Sequence, residues 1–314
     1  MRVDVVTLGE SLVSFVAEEV GRVDTVAHFR KRVGGAEMNT AIGLARLGAT
    51  AAWISRLGAD PFGDEIVRAL RGEGVRTDAV TRDPSAPTGL MIKEFRAGGV
   101  THVHYYRAGS AAAGLSADDV DQALVTAARR VHLTGITLAL GDGPRAAVLR
   151  LVECAAEHGV PISFDPNLRR KLTTPERAVE HWRAVFPFVT DLLLSEEEAR
   201  LCTGAGTVDE MLDELVGAGI PTAVIKQGAQ GATGRSDGVH ASIDAIGGVA
   251  VDSVGAGDAF NAGYLFEVLR GAPLAERLRT GAWVAGHVVG GYGDWEGLPT
   301  RREYDAAYGG VATR

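Results

Sequence analysis

Asp258 follows the turn Gly255-Ala256-Gly257 and precedes an apolar run of helical period over 262–269. A glycine turn opening onto a helix leaves backbone N–H groups unpaired at the positive end of the helix dipole, an arrangement that binds phosphate. A carboxylate at that mouth repels the anion unless it takes a proton from an attacking hydroxyl, as a general base does in phosphoryl transfer. The plainer alternative is an Asp at a helix start, and Gly-Ala-Gly recurs at 204–206 and 217–219, so the tripeptide decides nothing alone. A second segment, Gly34-Gly35-Ala36-Glu37-Met38-Asn39, also leads into a helix. Its glycines admit close backbone approach of a ligand, and Asn39 offers a donor and an acceptor suited to sugar hydroxyls. The alternative there is a tight turn before a polar first helical turn. Lys31, Lys93, Lys171 and Lys226 are the only lysines and none follows a glycine, so there is no Walker A loop. Phe260 occupies the third glycine position of a dinucleotide fingerprint, which excludes that motif too.

The Gly-Gly-x-x-x-Asn segment and the later Asp252-Ser253-Val254-Gly255-Ala256-Gly257-Asp258 segment together resemble the two signatures of the ribokinase-like (PfkB-type) carbohydrate kinases. Asp165-Pro166-Asn167, then 194–199, then 226–231 fall between them in the family's order, and the resemblance spans about 3–299. It implies ATP and Mg2+, with Asp258 as base and Gly255, Ala256 and Gly257 as the anion hole. It also implies Ser195, Lys226, Gln227, Gly228, Ala229, Gln230, Gly231 and Ala232 around the nucleotide, with Ala282 where relatives often carry an Asn beside the adenine. Within the family, 35–39, 105–111, 167–169 and 293–297 look most like bacterial 2-keto-3-deoxygluconate kinases. That likeness implies a sugar-acid site lined by Gly35, Ala36, Glu37, Met38, Asn39, Tyr105, Tyr106, Arg107, Arg169 and Asp294. Met91 joins this set, standing where that branch usually has an aromatic.

A sugar acid brings a carboxylate, to which Arg107 and Arg169 can supply charge-assisted, bidentate hydrogen bonds; otherwise each is a solvated surface residue. Ser195-x-x-Glu198 reads as a helix capping box; the resemblance implies a further role, since many relatives carry Asn-x-x-Glu here, in which Glu198 acts on the metal through water. His102 and His104 share one face of a strand without a Cys or carboxylate set nearby, and read as polar hairpin positions in preference to metal ligands.

These residues need a scaffold that brings distant segments together. Short apolar runs at 3–8, 51–55, 131–133, 161–164, 191–194 and 223–225 alternate with amphipathic stretches at 36–47, 118–130, 144–158, 175–185 and 207–216. This alternation predicts an α/β fold with a doubly wound, mostly parallel sheet flanked by helices. Two extended runs, 88–95 and 101–107, break the rhythm as a hairpin; with 12–32, which lacks helical period, they predict a discontinuous small β lid over about 12–32 and 88–110 of one 1–314 domain.

The chain has 314 residues, 46% hydrophobic and 23% charged, an ordinary globular balance that excludes disorder and fibres. Asp plus Glu outnumber Lys plus Arg by 40 to 32, so the basic footprint of nucleic-acid binding is missing. Cys154 and Cys202 form no framework and read as small buried thiols of a reducing compartment. No stretch approaches the roughly 18 unbroken apolar residues of a membrane span, so a cytoplasmic protein without membrane or nucleic-acid partners is expected. The expected activity is ATP-dependent phosphorylation of a primary hydroxyl, with 2-keto-3-deoxygluconate the leading acceptor and its 6-phosphate the product. The alternatives are a kinase for a neutral sugar (fructose, ribose) or a nucleoside, and a non-catalytic sugar-acid sensor. The exposed edges of the lid invite a second copy, so a homo-oligomer through the β lid is expected.

Overall fold

The structure, a computed structural model, describes residues 3–99, 101–247, 254–291 and 293–308. Asp252 and Ser253 of the glycine motif lie outside them. The described strands are β1 (Val3–Leu8), β2 (Leu12–Val20), β3 (Phe29–Gly34), β4 (Ala51–Gly58), β5 (Val80–Asp83), β6 (Leu90–Phe95), β7 (Thr101–Tyr106), β8 (Ala128–Thr134), β9 (Ile162–Asp165), β10 (Val189–Ser195), β11 (Thr222–Lys226), β12 (Ala232–Ser236) and β13 (Val239–Ile243). The helices are α1 (Ala36–Arg46), α2 (Pro61–Gly72), α3 (Gln122–Thr126), α4 (Gly135–Ala139), α5 (Asp142–Glu157), α6 (Pro175–Val185), α7 (Glu196–Thr203), α8 (Val208–Gly217), α9 (Ala256–Leu269), α10 (Leu274–Val289) and α11 (Arg301–Tyr308).

Nine strands form one sheet in the order β13-β12-β11-β10-β9-β8-β1-β4-β5, parallel from β11 to β5 with β12 and β13 antiparallel at one edge. Alternation along each strand feeds two cores: Val6, Ile54, Leu192 and Ile225 face one set of helices, while Val5, Trp53, Leu193 and Val224 face the other. Both faces are therefore apolar, which is why the strands read as unbroken hydrophobic runs. The remaining strands form a separate four-stranded sheet, β3-β2-β6-β7, drawn from two distant segments of the chain. Among the described residues no helix is long and apolar enough to cross a membrane.

One predicted helix is wrong. Over 118–130 the chain makes a 3-10 turn at Ala117–Asp119, the short α3, and then β8. Asp121 caps α3, and from Ala128 the chain takes a place in the sheet between β1 and β9, where Arg130 is buried against Asp191. The alanine-rich pattern favoured a helix, and tertiary pairing overrode it. Cys154 is buried as expected, but Cys202 is only partly so, its thiol pushed up to about 12 by burial.

Candidate active site

The carboxyl ends of the parallel strands converge on one crevice, with Asp165 closing β9, Ser195 closing β10 and Lys226 closing β11. Ligands of open α/β sheets lie at such ends. Helix α9 starts above them, apolar on all sides and buried from Asp258 to Glu267. Its N-cap, Gly255, has φ +79°, and a Cβ there would lie 2.0 Å from the Asp294 carbonyl oxygen. Only glycine fits both the backbone and the space, so the turn is fixed against the 293–297 segment.

Asp258, 5% exposed, sits in the first turn of α9. Asn39 Nδ2 donates to its Oδ2 at 2.8 Å, and Asn167 Nδ2 approaches Oδ1 at 3.4 Å. Thr40 Oγ1 donates to the Asp258 carbonyl at 3.3 Å, tying α1 to α9. Burial pushes the Asp258 carboxyl up to about 7; Asn39 opposes the rise and the nearby Asp165 reinforces it. A carboxylate held near neutrality is matched to taking a proton at physiological pH.

Below it, Lys226 Nζ donates to Asp165 Oδ2 at 2.7 Å, and Asn261 Nδ2 donates to the same oxygen at 2.6 Å. Burial alone would raise Asp165, but Lys226 and Asn261 outweigh it and hold the group below its ordinary range. Lys226, Gly228, Ala229, Gly231, Ala256, Gly257 and Ala282 line one cavity of about 580 Å3, completed by residues such as Phe260 and Gly286. Gln227 and Gln230 do not line it, and neither does Ala232, which pairs with Lys226 between β11 and β12. Gln227 instead accepts from Thr233 Oγ1 at 2.8 Å. Ser195 caps α7 through its hydroxyl, with Glu198 completing the box. The second Glu198 oxygen accepts the Leu168 N–H at 2.6 Å, so both oxygens are committed. Burial, then Asp165, raises the Glu198 carboxyl.

The four-stranded sheet faces this crevice. Met91 and Tyr105 are cross-strand partners and share a face with Ser14 and Lys93. This face borders a cleft of about 650 Å3 whose walls include Ser14, Arg32, Lys93 and Asp294. Lys93 Nζ donates to Asp294 Oδ1 at 3.1 Å across it.

Several expected substrate contacts fall elsewhere. Tyr106 follows Tyr105 on the strand, so it points to the opposite face and is 59% exposed. Helical periodicity separates Gly35 and Asn39 from the residues between them. Met38 is fully buried in the core, where Ser11 Oγ lies 2.9 Å from its sulfur. Glu37 is buried under the hydroxyls of Thr134 and Thr137, and burial raises its carboxyl. Ala36 is buried as well. Arg107 is paired with buried Glu10, which Ser110 also binds, so its charge is already matched. Arg169 is exposed beside Asp258, and among the described residues its side chain has no hydrogen bond or ion pair. His102 and His104 flank buried Glu94 at 3.6 and 3.4 Å, and no group of three His, Cys, Asp or Glu among the described residues is placed to hold a metal.

Glu10, Lys93 and Asn261 were not anticipated. Glu10 follows β1 in Gly9-Glu10-Ser11, a strand-end position that marks it in hindsight; Lys93 and Asn261 carry no local signal.

A family model described as pfkB family carbohydrate kinase matches residues 3–301. The chain is 34% identical over 310 residues to a 2-dehydro-3-deoxygluconokinase of Bacillus subtilis (strain 168), covering 96% of this chain and 94% of that one. It is 31% identical over 287 residues to a 2-dehydro-3-deoxygalactonokinase of Haloferax volcanii, covering 91% and 90%. The crystal structure of a PfkB protein from Polaromonas sp. JS666 superposes with a TM-score of 0.88 at 33% identity, covering 97% of this chain and 99% of that one.

Proposed function

The chain belongs to the pfkB family of carbohydrate kinases, with the ribokinase-like fold, and from that premise we propose that it transfers the γ-phosphoryl group of ATP to the primary hydroxyl of 2-keto-3-deoxygluconate. One observation carries this reading: a buried carboxyl poised near neutrality, gripped by Asn39 and Asn167, at the N-terminus of α9 and above Lys226.

Asp258 takes the hydroxyl proton as the sugar oxygen attacks the γ-phosphorus, and the bond to the bridging oxygen of ADP breaks in line. The backbone N–H groups from Ala256 to Asp258 and the α9 dipole stabilise charge on the transferring group. The 580 Å3 cavity suits a nucleotide: Ala282 and Gly286 leave a flat apolar slot, while Lys226 and the Gly228–Gln230 turn stand at its polar end. Mg2+ fits as an ion arriving on the nucleotide phosphates with its waters, because the acids beside the cavity, Asp165 and Glu198, are already bonded and supply no cage. When bound, it neutralises phosphate charge. The substrate carboxylate is met by Arg169, whose guanidinium is uncommitted, while Arg107 is held by Glu10 as a wall beneath Tyr105. The four-stranded sheet acts as a lid that excludes water, and Val20, 69% exposed on it, is part of a face that takes a second copy of the chain. Light scattering at micromolar concentration giving a monomer mass would overturn that last element.

The test is ADP release with Mg-ATP against 2-keto-3-deoxygluconate, its galacto epimer, gluconate, fructose, ribose and adenosine. Turnover confined to the keto-deoxy acids, and weakened through KM by Arg169→Ala, is expected. Turnover with a neutral sugar alone would overturn the acceptor, and ligand binding without ADP release would favour the sensor.

A further inference from the structure

A cavity of about 440 Å3 lies outside the candidate active site and shares no lining residue with the 650 Å3 cleft beside the four-stranded sheet or with the 580 Å3 cavity proposed for the nucleotide. Its walls are the start of α5, the loop from Arg170 to Thr174 and the exposed side of α6. Arg145, Arg170, Lys171, Arg177 and His181 face it, against a single lining carboxylate, Asp142. Four Lys or Arg residues around one small cavity stand out in a chain of net charge −8.

The charges are only partly satisfied. Arg145 pairs with Asp142, whose side chain is 93% exposed, and Arg170 pairs with the exposed Glu197. Lys171 Nζ donates to the Val103 carbonyl. Among the described residues the Arg177 side chain has no hydrogen bond or ion pair, and the neighbouring Glu176 carboxylate folds back onto Thr174 and its own backbone. Arg145 Nη1 donates to His181 Nε2 at 3.2 Å, which places the imidazole proton on Nδ1, a buried atom without a partner. Burial, then Arg145 and Arg177, lowers the His181 pKa, while Glu180 and Asp142 act the other way. The local potential is therefore positive.

We propose that this cavity is a second anion site, which takes a phosphate group, free or as the monoester of a small molecule, and regulates the kinase. Its size is that of a small-molecule pocket, and guanidinium groups match phosphate oxygens bidentately. The loop after β9 joins the cavity to the chemistry. Asn167 and Arg169 stand at Asp258, whereas Lys171 touches both the Val103 carbonyl and the Tyr105 ring of β7. An anion that recruits Lys171 releases β7, opens the sheet over the crevice and raises the sugar KM. The binding half stands whether or not the acceptor is a keto-deoxy acid.

The test titrates inorganic phosphate, and separately glucose 6-phosphate, into the full chain with the nucleotide cavity filled by a non-hydrolysable ATP analogue and Mg2+. One binding event is expected in the wild type, weakened about tenfold or more in the Arg145→Glu/Arg177→Glu double variant and weakened in Arg177→Ala, which removes an exposed, unpaired side chain. Tighter binding of the monoester would identify an organic effector, and tighter binding of phosphate a free anion; both support the site. The His181 ring resonances should titrate at higher pH with phosphate present, because a bound anion offsets Arg145 and Arg177. Equal binding by wild type and both variants, equal effects of chloride at matched ionic strength, or no binding in the wild type would overturn the site. Phosphate binding that leaves the sugar KM unchanged would overturn its regulatory link.

Discussion

At the scale of single residues, the proposed base Asp258 should set both rate and pH response. Asp258→Asn keeps the hydrogen bond from Asn39 but loses the base, so kcat should fall by about 10²–10⁴-fold with sugar binding largely retained. Because the carboxyl titrates at about 7 and acts deprotonated, kcat/KM in the wild type should rise with pH through neutrality and flatten above it. The folded state holds this proton more tightly than the unfolded chain, whose Asp titrates near 3.8, so the group's effect on stability worsens as pH climbs from about 4 to 7. Asp258→Asn should therefore stabilise the fold at pH 8 by on the order of a few kcal/mol and raise the melting temperature accordingly; an unchanged or lower Tm would contradict it. Asp258 and Asn39 were legible because glycine turns flag them. Tyr105 and Tyr106 were not separable, since adjacent residues of one strand differ only in face and the face is set by pairing with β6. Lys93 and Asn261 become site residues only through partners far away in the chain.

At the scale of elements, the proposed roles of the start of α9 and of α10 should be separable. Gly255→Ala forces an L residue into positive φ and drives its Cβ into the Asp294 carbonyl, a strain of at least about 1–3 kcal/mol. The turn should shift, with kcat falling at least about tenfold while circular dichroism keeps its helical signal. Ala282 on α10 lines the cavity proposed for the nucleotide. Ala282→Phe should fill the slot and raise the KM for ATP about tenfold or more, with kcat at saturating ATP within a few-fold of wild type; steady-state kinetics in both substrates distinguishes the two variants. The parallel strands were visible as apolar runs because helices cover both their faces. The 118–130 stretch misled because its local helical preference is real, and only pairing of β8 with β1 and β9 defeats it.

At the scale of the molecule, the proposed lid role requires the small sheet and the core to act together. Lys171 reaches from the loop after β9 to the Val103 carbonyl and the Tyr105 ring, holding β7 over the crevice. Lys171→Ala should loosen that hold and admit water, so ADP release without sugar should rise several-fold while the fold is unchanged; coupled-assay rates at zero sugar provide the check. The small sheet is fed by two excursions, one between β1 and α1 and one between β5 and α3. The large sheet has a different history. Its first strand, β1, lies inside it, and growth proceeds outward through β4 and β5 on one side, then β8, β9, β10, β11, β12 and β13 in chain order on the other. During synthesis each later strand thus meets an edge already waiting for it, and no gap must be filled from within. Helix α9, with the proposed base, emerges after all of them, so a nascent chain builds its platform before the candidate site can be assembled.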